Sequence, residues 1–319
     1  MSLFARSKSR HRSHTVAARD LTASIIDRVG HAHLELIPTP KVDQQFDFLP
    51  AASTVSVTCS PAKDIQTTLD TAARLLDLGH SVIPHLAARM VEGPQHITEI
   101  AAWLQSHGVR EAFVIGGDAP VPHGPYGDAA ALIRALLDSN AGLKRVGFGG
   151  YPDGHVSIPD DALLVALMDK QQLLVDAGVN GFVSTQMCFD GDLITRWISD
   201  RRAAGLHLPI HLGIPGQVDA TKLLTMGVKL GIGNSLRYLR KNRAMVSNLA
   251  GPGRYDPLDL LLPMAGDLDR LDIAALHVFT FNQVASTVEW QIGVGGSVAF
   301  LDNTGTDHPG EGAHHGLSV

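Results

Sequence analysis

Polar side chains recur in this chain where apolar, β-rich runs give out. Glu35 lies in HLELIPTPK, Thr58 in VSVTCS, His85 in VIPHLAAR and Asp118 in FVIGGDAP. Tyr151 and His155 lie in GGYPDGH, Gln186 in STQMCFD, Gln217 after LGIPG and Asn282 after VFTF. Glu35, between Leu34 and Leu36, is either a satisfied core carboxylate or a poorly solvated acid able to deliver a proton near neutral pH. His85 fits a core imidazole bonded to a backbone carbonyl as well as it fits a group facing a ligand. Asp118 caps a turn or faces a flat ligand, which the glycines at 116 and 117 would let close to the backbone. Gln186 offers one donor and one acceptor, the pairing that the edge of a flat heterocycle accepts. Acid–base work on such a ring is the chemistry these types suggest.

Eight β-rich runs must hold these groups: 32–37, 54–59, 81–86, 111–115, 145–151, 181–187, 209–214 and 275–281. Between them the apolar residues recur at three and four, as in Leu69, Ala72, Ala73 and Leu76, so helices are expected at 65–78, 96–107, 126–138, 160–177, 193–204 and 220–226. Gly79, Gly108, Gly178 and Gly205 each stand just past a helix, where a left-handed residue turns the chain into the next strand. Eight strands alternating with helices predict a (β/α)8 TIM barrel, whose working face is the carboxyl end of the strands. The expected divisions are a basic N-terminal extension at 1–30, the barrel at 31–300 and a mobile tail at 301–319. The gap between the last two strands carries a further helical unit at 235–249 and the loop GPGRYDPLD.

Composition narrows the function class. With 45% hydrophobic and 18% charged residues in 319, the chain can bury a real core and is neither disordered nor a charged coiled coil. Lys plus Arg number 26 against 32 for Asp plus Glu, a net charge of -6, so no overall basic field recruits nucleic acid. The local exception is the arm bearing Arg6, Lys8, Arg10, Arg12 and Arg19, read as a solvated terminus. Cys59 and Cys188 make no disulfide framework or metal-spacing motif, and no membrane span or secretory signal is visible, so a cytoplasmic protein is expected. His308, His314 and His315 in the tail could capture metal but read as part of a flexible polar segment, and no metal site is expected.

Taken together these strings resemble the 5,10-methylenetetrahydrofolate reductase family. HLELIPTP is similar to the family's SFEFFPP, with Glu35 on the family glutamate; Pro84 to Ala88 resembles PHLTC, and Ile115 to Asp118 resembles LRGD. YPDGHV at 151–156, VDAGV at 175–179, TQMCFD at 185–190 and HVFTFNQ at 277–283 are similar to YPEVHP, VDAGA, TQFFFD and HFYTLNR. The resemblance runs from about residue 31 to 293 in unbroken order. It implies a barrel that holds FAD at the strand ends, takes hydride from NADH or NADPH and reduces methylenetetrahydrofolate. Ring opening to an iminium at N5 requires protonation of N10, the role the resemblance gives Glu35. Asp118 matches the residue that stabilises the cation. Gln186, Gln217 and Phe279 would contact the folate, and Thr58, His85, Gly117, Asp118, Tyr126, Tyr151 and His155 the cofactor.

Departures from the pattern fall at the flavin contacts. Gly116 replaces the arginine of LRGD, Leu173 and Leu174 replace an Arg-Lys pair before VDAG, and Ala220 replaces an aromatic. Each lost charge-assisted contact to a pyrophosphate costs on the order of 1.5 to 3 kcal/mol. Gly231 to Lys241, where Gly231, Gly233 and Asn234 precede a helix start and Arg237, Arg240 and Lys241 follow, reads equally as a set of replacement donors and as a plain cap with solvated cations. Two mechanisms therefore stand: FAD kept with rerouted contacts, or hydride passed directly from NAD(P)H. A non-catalytic folate-binding or regulatory protein on a reductase-like barrel is the alternative class. Oligomeric state is left open.

Overall fold

A computed structural model of the chain describes residues 22–59, 63–229 and 254–302. The eight strands are β1 (His33–Leu36), β2 (Thr54–Val57), β3 (Ser81–Ala87), β4 (Glu111–Ile115), β5 (Arg145–Gly150), β6 (Asn180–Thr185), β7 (Ile210–Pro215) and β8 (Ile273–Phe279). They close in sequence order into one barrel, each pairing in parallel with the next and β8 with β1. This is the (β/α)8 architecture that the alternation implied.

The helices are α1 (Ala23–Gly30), α2 (Ile65–Asp77), α3 (Pro94–Ser106), α4 (Ala129–Asp138), α5 (Asp160–Asp176), α6 (Gly191–Ala203), α7 (Ala220–Lys229), α8 (Leu258–Leu261), α9 (Ala265–Arg270) and α10 (Val284–Asp302). Asp64, Asp128 and Asp190 cap α2, α4 and α6 by accepting from the N–H groups of Thr67, Ala131 and Leu193. The Asp128 cap sets the start of α4 at Ala129 rather than at 126. Gly79, Gly108, Gly178 and Gly205 have φ of 85°, 64°, 64° and 103°, the left-handed closures expected of them.

Alternation along the strands sorts the side chains into two layers. Leu34, Leu36, Val55 and Val57 join the large core under the helices, while Glu35, Ser56, Ile83, His85, Phe113, Phe182, Ser184, His211, His277 and Phe279 share the opposite parity. Ile83, Phe113 and Phe182 form a small apolar cluster in the second layer. A third cluster, Met187, Phe189, Val218, Leu223, Tyr255, Phe279 and Phe281, follows the ends of β6 to β8.

The last strand begins and ends two residues earlier than its sequence pattern suggested. Phe281 and Asn282 have φ of 48° and 57°, which extended backbone does not allow. Asn282 accepts from the Ile37 N–H at 2.9 Å and donates to the Ile37 carbonyl at 2.8 Å and to Thr39 at 3.2 Å. Its amide fastens the exit of β1 to the exit of β8. Helix α1, within the stretch read as an extension, buries Ile25 and Val29 in the main core. Among the described residues no helix is long and apolar enough to cross a membrane. The basic arm, the unit at 235–249, Gly231 to Lys241 and the tail histidines lie outside the described residues.

Candidate active site

Glu35 sits mid-strand on β1 with its side chain buried, level with Ser56 of β2 and Phe279 of β8. Its Oε2 lies 2.9 Å from Nε2 of His277, itself buried on β8. Such a hydrogen bond requires one proton between the two atoms, whichever carries it. His277 packs edge-on to Phe279 at 5.0 Å and stacks at 6.1 Å from His85 of β3, which tilts against Phe113 at 4.7 Å. Burial, with a contribution from His277, holds the His85 imidazole well below its ordinary range, so it is neutral at physiological pH.

A second polar group lies at the amino ends of the strands. Arg145 donates to Nε2 of His211 at 2.8 Å and pairs with Glu111 at 3.1 Å, and His211 meets His33 edge-on at 4.8 Å. Because guanidinium only donates, His211 carries its proton on Nδ1. Burial, then His277 and Arg145, pull His33 down to about 4. Burial, then His33, Arg145 and His277, hold His211 well below the usual range. Glu111 is raised, by burial first, with Arg145 opposing.

Two groups of the expected site residues come together. Glu35, His85 and Phe279 surround His277. Asp118, exposed beyond β4, bears on Tyr151: burial raises the Tyr151 hydroxyl and the Asp118 charge adds to it, while the Tyr151 ring meets His155 edge-on at 5.2 Å. Gly117 turns the chain into Asp118 with φ of 87°, and a Cβ there would stand 2.9 Å from that of Ala87. The rest are held by structural contacts. Gln186 accepts the Met187 N–H at 2.8 Å, leaving its amide NH2 for a ligand. Thr58 bonds through its backbone to Leu36 and Thr68, the Gln217 carbonyl accepts from Ser286, and Tyr126 packs partly buried against the main core. Sequence reading passed over His277, although it stands two residues before Phe279 and so on the same face of the strand.

The description methylenetetrahydrofolate reductase belongs to the family model that matches residues 44–231 of this chain. The chain belongs to the methylenetetrahydrofolate reductase family. It is 34% identical over 98 residues to methylenetetrahydrofolate reductase 2 of Saccharomyces cerevisiae, covering 31% of this chain and 16% of the relative. It is 39% identical over 86 residues to methylenetetrahydrofolate reductase 1 of Schizosaccharomyces pombe, covering 27% and 14%. The matches thus span under one fifth of those relatives' lengths. The matched region of the family contains Asp118 and Gln186 but lies between β1 and β8, so Glu35 and His277 rest on geometry.

The methylenetetrahydrofolate reductase family generally binds FAD; where the resemblance loses its cations, the described residues of this chain supply no replacement charge. Leu174 is fully buried, filling the space beside Gly181 of β6, and Leu173 packs on the same core. Gly116 opens onto free space where a side chain could stand. Arg89, beside that turn, spends its guanidinium on the carbonyls of Ala119, Pro120 and Gly127. Lys170, one turn before Leu174, is buried with its Nζ 4.9 Å over the Phe148 ring. None of these presents a cation to a pyrophosphate.

Proposed function

We propose that this protein reduces 5,10-methylenetetrahydrofolate to 5-methyltetrahydrofolate, or runs the reverse oxidation, with hydride passing directly between the nicotinamide of NAD(P)H and the folate carbon. The observation that carries this reading is a carboxyl, Glu35, buried inside the barrel and hydrogen-bonded to the buried His277. In the forward direction Glu35 gives a proton to N10, the bond from N10 to the methylene carbon breaks, and an iminium forms at N5. Hydride then adds to that carbon. The Asp118 carboxylate offsets the transient positive charge, the Gln186 amide donates to the pterin, and Phe279 packs against its ring. Glu35 recovers its proton from solvent before the next cycle. A binding protein without turnover would need no acid inside the barrel. The reading also places the protein in the cytoplasm, where folate and reduced nicotinamide meet.

Glu35→Gln keeps the shape and a hydrogen bond to His277 but has no acidic proton. Its turnover should fall by about 10²- to 10⁴-fold, the contribution of a positioned general acid, with the folate affinity little changed. An unchanged rate would remove Glu35 from the mechanism. Purified protein should lack the visible absorbance of oxidised flavin and gain no activity from added FAD. A yellow preparation whose activity tracks its flavin content would overturn the direct transfer.

A further inference from the structure

Glu35, His85 and His277 are three buried side chains from β1, β3 and β8, and their candidate ligand atoms all lie within 4.8 Å of one another. Two imidazoles and one carboxylate are a donor set that zinc and its first-row neighbours occupy. Bonds of about 2.0–2.2 Å place neighbouring donors of a tetrahedral ion about 3.4 Å apart. Oε2 of Glu35 and Nε2 of His277 are already within that span at 2.9 Å. His85, whose ligand atom lies within 4.8 Å of the other two, must close in further to complete the set.

His85 supplies the independent pointer. Among the described residues its Nε2 is buried with no hydrogen-bond partner, and the residue is only 5% exposed. An imidazole nitrogen left in this state costs stability that a ligand would recover.

We propose that Glu35, His85 and His277 form a site for a zinc-class divalent cation, and that metal bound there switches off the reduction. The switch rests on the reading of Glu35 as the acid. The ion takes the carboxylate and both imidazoles, and an acid proton on Glu35 leaves to solvent. A carboxylate held by the ion cannot carry the proton that N10 needs. Magnesium and calcium, which take oxygen ligands, are poor occupants.

The test titrates the full-length, metal-stripped protein with Co²⁺ and reads its visible d–d absorbance. One equivalent should bind in a low-symmetry site, with Zn²⁺ displacing it and Mg²⁺ not. The band should be lost in His85→Gln, which leaves the Glu35–His277 pair intact, and in His277→Gln, which alters another strand. Both variants retain His308, His314 and His315, so metal held by the tail is subtracted. Should one variant fail to unfold cooperatively, the other decides. With Zn²⁺ at about ten times its dissociation constant, occupancy leaves about one part in eleven of the wild-type rate. EDTA restores it, and the turnover that His85→Gln retains is insensitive to zinc. A Co²⁺ spectrum unchanged in both variants, or no saturable binding, overturns the site. Binding without inhibition overturns the switch. Loss of activity in Glu35→Gln together with no metal binding fails the site and leaves the proposed reduction standing.

Discussion

Removing the His277 imidazole leaves Glu35 in the barrel interior without the partner that its Oε2 holds at 2.9 Å. A buried polar group stripped of its partner costs about 1–3 kcal/mol. His277→Leu should therefore lower the unfolding free energy by that amount in a denaturant titration and also depress turnover, whereas His277→Gln, which can still bond Glu35, recovers part of both. Equal stability of the Leu variant and the wild type would mean that the pair adds nothing. At this scale the sequence disclosed the carboxylate and missed its partner. Glu35 stands out because an acid inside an apolar run is unusual. His277 begins a stretch of large residues and looks like ordinary core, and only closure of the barrel from β8 to β1 brings it to Glu35. Gln186 shows the converse, since no linear reading reveals that its acceptor is engaged by Met187.

The elements hold the site through a few turns. Gly117 must take φ of 87° to aim Asp118. A Gly117→Ala change adds about 1–2 kcal/mol of left-handed strain to the crowding against Ala87. It should reduce both thermal stability and turnover, and a variant as stable as wild type would show that the turn adapts. Asn282→Ala loses three hydrogen bonds that tie Ile37 and Thr39 to the end of β8. Each contributes about 0.5–1.5 kcal/mol, and the expected signature is faster amide exchange at Ile37 with protection retained at Leu34. All eight strands and the six helices read from periodicity are present, because alternation and glycine punctuation are local signals. The boundaries moved where side chains decided them, as at Asp128 and Asn282. Helix α10 escaped notice because VASTVEWQIGVGGSV is interrupted by glycines and shows no clear polar face. Helix α1 was hidden behind a run of cations.

Across the whole molecule the interior is rich in histidines that stay neutral. Unfolded, they bind protons near 6.5; folded, His33 does so only near about 4, and His85 and His211 are also held well below the ordinary value. The unfolded chain therefore takes up more protons as pH falls. Stability is full above about 6.5 and declines through the window down to about 4, with His33 alone contributing roughly 3 kcal/mol at 1.36 kcal/mol per unit. The urea midpoint should drop between about pH 7 and about pH 5, and His33→Gln should flatten the slope. An unaltered midpoint would mean that these rings remain hydrated.

One interior detail bears on how such a barrel changes over generations. A Cβ on Gly147 of β5 would overlap the edge of the Phe182 ring of β6, which itself stacks on His211 at 4.2 Å and lies under the Arg145 guanidinium at 4.5 Å. The missing methyl and the ring share one volume. Gly147→Ala overfills it at about 1–3 kcal/mol, and Phe182→Leu leaves a void. Made together, the two should cost less than their sum, by about 0.5–3 kcal/mol of coupling. Neither substitution is a neutral step by itself, so descendants of this chain can reach a different interior only through a weakened ancestor, and residues 147 and 182 should be inherited as a pair.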